Sequence, residues 1–252
     1  MITKAIIQAR MGSTRLPGKI LMKLNGINVL ECLLKQISSS MKLDGVILAT
    51  TLNKEDDEVV TFAKNNSLDY FRGDSNDVLD RFYQCAKKYS LENIVRITSD
   101  CPLIDPQIID KTISLFLSNK FDYVNNFFER TFPFGTEVEV FSFSTLEKVW
   151  KDAKKNSERE HVTTYIYDNP DIFSIGYIKN NENLSKLHWA IDRIEDLRFV
   201  QKIYEKNSNH PILLKDILKI LNNNPELINI NKNNDPREGY KKSLANDIHS
   251  SS

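Results

Sequence analysis

The chain has 252 residues, and its 34 lysines and arginines are balanced by 34 aspartates and glutamates, so the formal net charge is zero. That balance argues against holding a polyanionic duplex by bulk charge, while local basic clusters stay able to bind a small polyphosphate. Apolar residues make up 40% and charged residues 27%, an ordinary globular composition in a chain long enough to bury a core without disulfide staples.

Thr3 to Ala9 reads as a short buried strand, with Ala5, Ile6 and Ile7 in sequence and no helical stripe. The loop Arg10 to Lys19 follows. Val29 to Ile37 is predicted as a helix with Val29, Leu30, Leu33, Leu34 and Ile37 on one face. Gly45 to Thr50 is a second strand, Asp56 to Lys64 a helix, Leu68 to Phe71 a short strand and Val78 to Tyr89 a helix. Asn93 to Thr98 is a fourth strand, ending at Ser99-Asp100-Cys101-Pro102. This alternation predicts an α/β fold: a mainly parallel sheet with helices on both faces, joined by right-handed crossovers. Ligands of such sheets sit outside the carboxyl ends of the strands, where the first loop and Asp100 both fall.

The second half changes character. Tyr123 to Asn126 reads as a strand. Glu137 to Phe143 alternates with period two, which predicts a half-exposed strand. Ser144 to Lys154 is a helix, Asp168-Asn169-Pro170 a turn and Phe173 to Ile178 a strand. His188 to Ile191 reads as a short strand closed by Asp192. Helices are expected from Glu195 to Lys206 and from Ile212 to Leu221. From about Asn231 periodicity is lost amid Asn, Lys, Asp and Ser. The expectation is one domain over residues 1–230 and a flexible tail over 231–252.

Cys32, Cys85 and Cys101 are odd in number and lack CxxC spacing, so neither a disulfide framework nor a zinc knuckle is expected. A reducing cytoplasm fits them. No run approaches the roughly 18 apolar residues of a membrane span. The opening MITKAIIQAR is too short and too early-charged for a signal peptide. A cytoplasmic protein without membrane or nucleic-acid partners is expected.

The densest chemistry lies in Arg10-Met-Gly-Ser-Thr-Arg-Leu-Pro-Gly-Lys19. Gly12 and Gly18 let backbone approach a ligand, and successive amides there can form an anion nest. With Arg10, Arg15 and Lys19 they suit a triphosphate that loses pyrophosphate. The loop is neither a Walker A sequence nor GxGxxG. The alternative is a surface turn with solvated charges.

Asp100, at a strand end, can hold Mg²⁺, which takes oxygen ligands and keeps substrate phosphates and waters. It could instead only cap the turn into Pro102. Asp192 also closes an apolar stretch, and two carboxylates from separate strand ends can grip one metal. Asp105, Glu195 and Asp196 read as helix-start residues. Glu137 and Glu139 share one face, directed either at a polar substrate or at water. In Glu158-Arg-Glu-His-Val-Thr163, His161 beside Arg159 could bind an anionic acceptor or be structural. No clustered His/Cys set suggests zinc, and Ser13 lacks a nucleophile-elbow setting.

The ordered set resembles a family. Gln8-Ala-Arg-Met-Gly-Ser-Thr-Arg-Leu-Pro-Gly-Lys19 looks like the opening motif of cytidylyltransferases that activate acidic sugars. Phe71-Arg-Gly-Asp-Ser-Asn-Asp-Val-Leu-Asp-Arg81, Arg96-Ile-Thr-Ser-Asp-Cys-Pro-Leu-Ile104, Phe134-Gly-Thr-Glu-Val-Glu-Val-Phe141 and Arg159-Glu-His-Val-Thr163 continue in the order of one branch. That branch is the spore-coat polysaccharide F-type cytidylyltransferases, related to the 3-deoxy-manno-octulosonate and acylneuraminate enzymes. The resemblance runs from about residue 2 to residue 205. It implies a GT-A-like nucleotidyltransferase fold, Mg²⁺-dependent transfer of CMP from CTP, and a homodimer, with acceptor and dimerisation elements in about 123–180.

By motif position, Arg10, Ser13 and Lys19 resemble triphosphate-binding residues, within a nucleotide-binding loop that also holds Ala9, Met11, Gly12 and Arg15. Asp100 and Asp192 resemble the metal ligands, and Arg72 the arginine near the nucleobase. Glu137, Glu139, Arg159 and His161 are the acceptor candidates. Ser99 stands where relatives often carry Gly, and Phe134-Gly-Thr-Glu137 where Arg-Gly and then Asp is expected, so an unusual acceptor is possible, a phosphate or phosphonate among them. The competing readings are a glycosyltransferase on the same fold, which would want a DxD-type pair, and a non-catalytic binding module.

Overall fold

The computed structural model describes residues 2–118, 120–207 and 209–250. Four parallel strands form its first half: β1 (Thr3–Gln8), β4 (Gly45–Thr51), β5 (Asp69–Gly73) and β6 (Asn93–Thr98). Between β1 and β4 lie a small hairpin, β2 (Lys23–Leu24) with β3 (Ile27–Asn28), and helix α1 (Val29–Ile37). Helix α2 (Asp57–Asn65) leads to β5 and α3 (Val78–Lys88) to β6. Side-chain caps fix two of these helix starts: Asn28 accepts from the Glu31 amide and Asp77 from the Asp80 amide.

After β6 come α4 (Pro106–Phe116), capped by Asp105, and then β7 (Tyr123–Asn125), β8 (Glu139–Ser142) and α5 (Phe143–Asp152). The short helices α6 (Asn156–His161) and α7 (Thr164–Asp168) precede β9 (Ile175–Tyr177). The chain ends in α8 (Ile194–Lys206), α9 (Leu214–Asn223) and α10 (Glu238–Ser250). The sheet runs β5-β4-β1-β6-β8-β7-β9, with β8 antiparallel to both neighbours and β9 parallel to β7.

Strand β1 shows why the first half reads as unbroken apolar runs. Ala5, Ile7 and Ala9 pack with α1, α2 and α4 on one face, while Ile6 packs with α3 and α5 on the other. A third cluster joins Trp189 and Ile191 to α8, α9 and Leu24 of the hairpin. Among the described residues no helix is long and apolar enough to cross a membrane.

Three expectations are corrected. The Glu137–Phe143 strand begins only at Glu139, and Glu139, Val140 and Phe141 are all buried instead of alternating. Its neighbours β6 and β7 cover both edges, and helices cover both faces. His188–Ile191 is no strand; it makes one parallel bridge, His188 to Phe134. The expected tail folds back: α10 packs on α6, and Ser157 N donates to Asp247 Oδ1 at 3.0 Å. None of the described side chains of α10 is fully buried, so no apolar stripe announced it.

Candidate active site

The loop after β1 is pinned at both ends of its turn. Met11 N donates to Asp56 Oδ1 at 2.7 Å, and Met11 O accepts from Ser13 N at 2.8 Å and Gly18 N at 2.9 Å. Ser13 Oγ accepts from Leu16 N at 3.4 Å. Gly18 has φ 68°, a left-handed conformation that suits glycine and starts the single turn Lys19–Leu21. That turn carries Lys19 inward.

Lys19 Nζ donates to Asp100 Oδ2 at 2.6 Å, to Asp192 Oδ1 at 3.0 Å and to Ile191 O at 2.6 Å. The two carboxylates are distant in sequence and meet for a backbone reason. Ile191 N donates to Asp100 O at 2.9 Å, and Trp189 N to Phe134 O at 2.7 Å. Gly135, at φ 92°, permits that approach: a Cβ there would lie 2.3 Å from Ala190 N. Burial would push the Asp100 carboxyl up, but the Lys19 ammonium beside it prevails and holds it below the usual carboxylate range. Burial likewise opposes the charge on Lys19, and Asp100 and Asp192 outweigh it, raising its pKa. Arg15 adds a second cation, 2.5 Å from Asp192 Oδ1.

The site fits a divalent cation by its donor chemistry. Two carboxylates already converge on one positive charge, and Mg²⁺ is commonly held by one or two carboxylates plus substrate phosphates. Among the described residues no group of three or more His, Cys, Asp or Glu could hold a metal.

The other expected residues are placed as follows. Ala9 is buried, its amide bonded to Ala49 O at 3.0 Å, and Gly12 faces Glu55, whose Oε1 lies 2.7 Å from where a Cβ would be. Arg10 reaches away from Lys19, to Ser75 O at 3.5 Å and Glu160 Oε1 at 3.4 Å. Arg72 braces the β4–α2 loop, donating to Thr51 O and Asn53 O at 2.8 Å and to Asp57 Oδ1 at 2.6 Å. Glu137 pairs with Arg130 at 2.6 Å and accepts from Gly135 N at 2.7 Å.

Glu139 is only 1% exposed and faces neither water nor an open cleft. It pairs with Arg96 and accepts from Tyr123, Tyr167 and Thr163. Burial would neutralise it; Arg96 first, then the hydroxyls, keep its pKa below the usual range. Arg159 pairs with Asp77, the α3 cap, and donates to Trp150 O at 2.9 Å. His161 Nε2 lies 2.9 Å from Ser243 Oγ, and its ring meets Tyr240 edge-on at 5.2 Å. Burial, reinforced by Arg96, lowers its pKa to about 4.

Helix α10 thus lies along the second half of the site. Its Glu238 is 3.5 Å from Arg15 and 2.7 Å from Arg193. Sequence reasoning missed Asp56, which has no local signal beyond starting a helix. It also missed Arg96, although a charge inside the apolar run Ile94-Val-Arg-Ile97 announces a buried partner.

A basic loop after the first strand faces one carboxylate just past β6 and a second that the Ile191–Asp100 backbone bond brings beside it, at the carboxyl edge of a mostly parallel sheet, and the fold is that of the nucleotidyltransferases. This chain belongs to the cytidylyltransferase family, whose model matches residues 4–234. It is 42% identical over 230 residues to the uncharacterized protein MJ1063 of Methanocaldococcus jannaschii, covering 90% of this chain and 93% of that one. It is 30% identical over 229 residues to the spore coat polysaccharide biosynthesis protein SpsF of Bacillus subtilis, covering 88% and 94%. A solved cytidylyltransferase from Leptospira borgpetersenii superposes with TM-score 0.88 at 35% identity, over 93% of this chain and 98% of that one. Some 3-deoxy-manno-octulosonate cytidylyltransferases also match, over about half of this chain or less.

Proposed function

We propose that the protein transfers CMP from CTP to an anionic small-molecule acceptor, an acidic sugar foremost, with release of pyrophosphate. The observation that carries this reading is the convergence of Asp100 and Asp192 on one cation beside the basic loop. Metal acids from two separate segments suit this reaction better than a glycosyltransferase, which would normally use a DxD-type pair.

Asp100 and Asp192 would hold Mg²⁺, which would supply positive charge to offset that of the substrate phosphates. Lys19 and Arg15 exchange their carboxylate partners for phosphate oxygens as the triphosphate enters. With the Gly12 amide, they stabilise the pyrophosphate as it departs. The acceptor oxygen attacks the α-phosphorus in line, so no covalent enzyme intermediate is needed. Arg10, at the far end of the loop, is half-exposed and offers a further cation. The acceptor approaches from the side of β7, β8 and α6, where Arg159 and His161 lie, and a homodimer through the second half completes the reading. All three cysteines are free and buried, which fits work in a reducing cytoplasm.

The test is pyrophosphate release with CTP and Mg²⁺ against a panel of acidic sugars, sugar phosphates and phosphonates. Acceptor-dependent release with CTP is expected. Comparable turnover with ATP or GTP would overturn the reading.

A further inference from the structure

Helix α10 begins at Glu238, beyond the residues 4–234 that the family model matches, yet its first turn reaches the basic loop. Glu238 Oε2 accepts from Arg193 Nη2 at 2.7 Å and stands 3.5 Å from Arg15 Nη1. A Cβ built on Gly239 would fall 3.9 Å from Arg15 Nη2, so the helix start rests against that guanidinium. Arg15 also pairs with Asp192 Oδ1 at 2.5 Å. It is therefore bracketed by two carboxylates, one in the site and one on α10. Arg193, and then Arg15, hold the Glu238 carboxyl below its ordinary range, so it is an anion at neutral pH.

The helix that brings this charge is lightly held. None of its described side chains is fully buried, and Leu244 is 40% exposed. It is fastened to α6 by Ser243 Oγ, 2.9 Å from His161 Nε2, by the Tyr240 ring edge-on to His161, and by Asp247 Oδ1, which accepts from Ser157 N. A helix without a buried apolar anchor belongs to the low-stability end of a fold, from which lids and other moving elements are drawn. A triphosphate that takes Arg15 must dislodge Glu238 or sit beside its negative charge, and like charges at that range repel.

We propose that Glu238 is a built-in competitor of the triphosphate: it occupies on Arg15 the place of a phosphate oxygen, and α10 is the strap that loosens when nucleotide enters. This rests on the reading that the basic loop binds a triphosphate, and not on the identity of the base or the acceptor. Arg193, 44% exposed, can keep Glu238 after the exchange. The strap lowers nucleotide affinity by what the exchange costs. Because the pair is half-exposed, that cost is about two- to fivefold in affinity.

The experiment is calorimetric binding of inorganic triphosphate and of CTP, each with Mg²⁺, to the full chain and to E238Q, which keeps side-chain size and removes the charge. E238Q is expected to bind both ligands about two- to fivefold tighter than wild type. The double variant Y240A/S243A, which loosens α10 and leaves Glu238 in place, should shift in the same direction. Hydrogen exchange on wild type needs no variant: the amides of 238–247 should exchange faster once triphosphate is bound. Unchanged or weaker binding by E238Q, or amides of α10 that become protected on triphosphate binding, would overturn the proposal. Tighter binding by Y240A/S243A alone would mean that α10 acts only by covering the loop, and the Glu238 assignment would fall. Tighter binding of inorganic triphosphate by E238Q, with CTP bound by neither form, would refute the CTP reading and leave the strap standing. Binding of neither ligand to any form would refute both.

Discussion

Ion pairs on the two sides of strand β6 are built in different ways. At the strand ends, Lys19, Arg15, Asp100 and Asp192 satisfy one another. A polyphosphate with its metal brings the complementary charges for all four, so these pairs can be exchanged. Beyond β6, the pairs are anchored by further groups. Glu139 has Arg96 and three hydroxyls, Glu137 has Arg130 and a backbone amide, and Arg159 has Asp77 and a carbonyl. The motif residues of the second half hold its packing together, and only the first set is poised to change partners.

The sharpest test of that contrast is the proposed metal pair, Asp100 and Asp192. Asp100→Asn and Asp192→Asn each keep side-chain size and remove one anionic ligand. Each should lower CTP-dependent turnover at least about a hundredfold, with the melting temperature shifted by only a few degrees. Normal turnover in either variant would break the assignment of these residues as exchangeable.

Glu139→Gln tests the opposite side. It leaves Arg96 in the interior without its carboxylate, which should cost about 3 kcal/mol of stability by denaturant titration. Turnover per folded molecule should change little. An unaltered stability with a raised acceptor KM would move Glu139 from the scaffold into the acceptor site. Arg159→Ala is the milder case. Loss of its contact to the α3 cap should cost on the order of 1 kcal/mol. Acceptor and CTP KM values should stay together, and a selective rise in acceptor KM would instead make Arg159 an acceptor-binding residue.

The same contrast decides what could be read in the sequence. Strands β1, β4 and β6 and helices α1 and α3 were legible to within a residue or so, because each is a local apolar pattern with its own cap or loop. Asp100 and Asp192 could be named because each ends such a pattern. Their meeting depends on the Asp100–Ile191 backbone bond and the Gly135 approach, which no local pattern encodes. Helices α6 and α7 are too short to show a period. Glu139 was misjudged because alternation of apolar and acidic residues implies a wet face only when no buried cation stands opposite, and Arg96 stands there. Arg72 matched by motif position, but its guanidinium is engaged by two backbone carbonyls and Asp57.

The smallest effect concerns His161 and the helix that covers it. Its folded pKa, lowered to about 4 by burial and then by Arg96, lies below the roughly 6.5 of an unfolded histidine. Between those values the unfolded chain binds a proton that the folded chain refuses. The stability that neutral His161 preserves is therefore fully present above about pH 6.5 and declines as the pH falls toward 4. Denaturant titrations at pH 7 and pH 5 should show wild type losing on the order of 1 kcal/mol more than His161→Gln over that interval. Tyr240 and Ser243 of α10 contribute to the burial, so a chain ending at residue 234 should show a smaller excess loss, because the exposed ring titrates closer to its ordinary value. Equal pH dependence in the full-length and shortened chains would mean that Arg96 alone sets the His161 pKa and that α10 adds nothing to it.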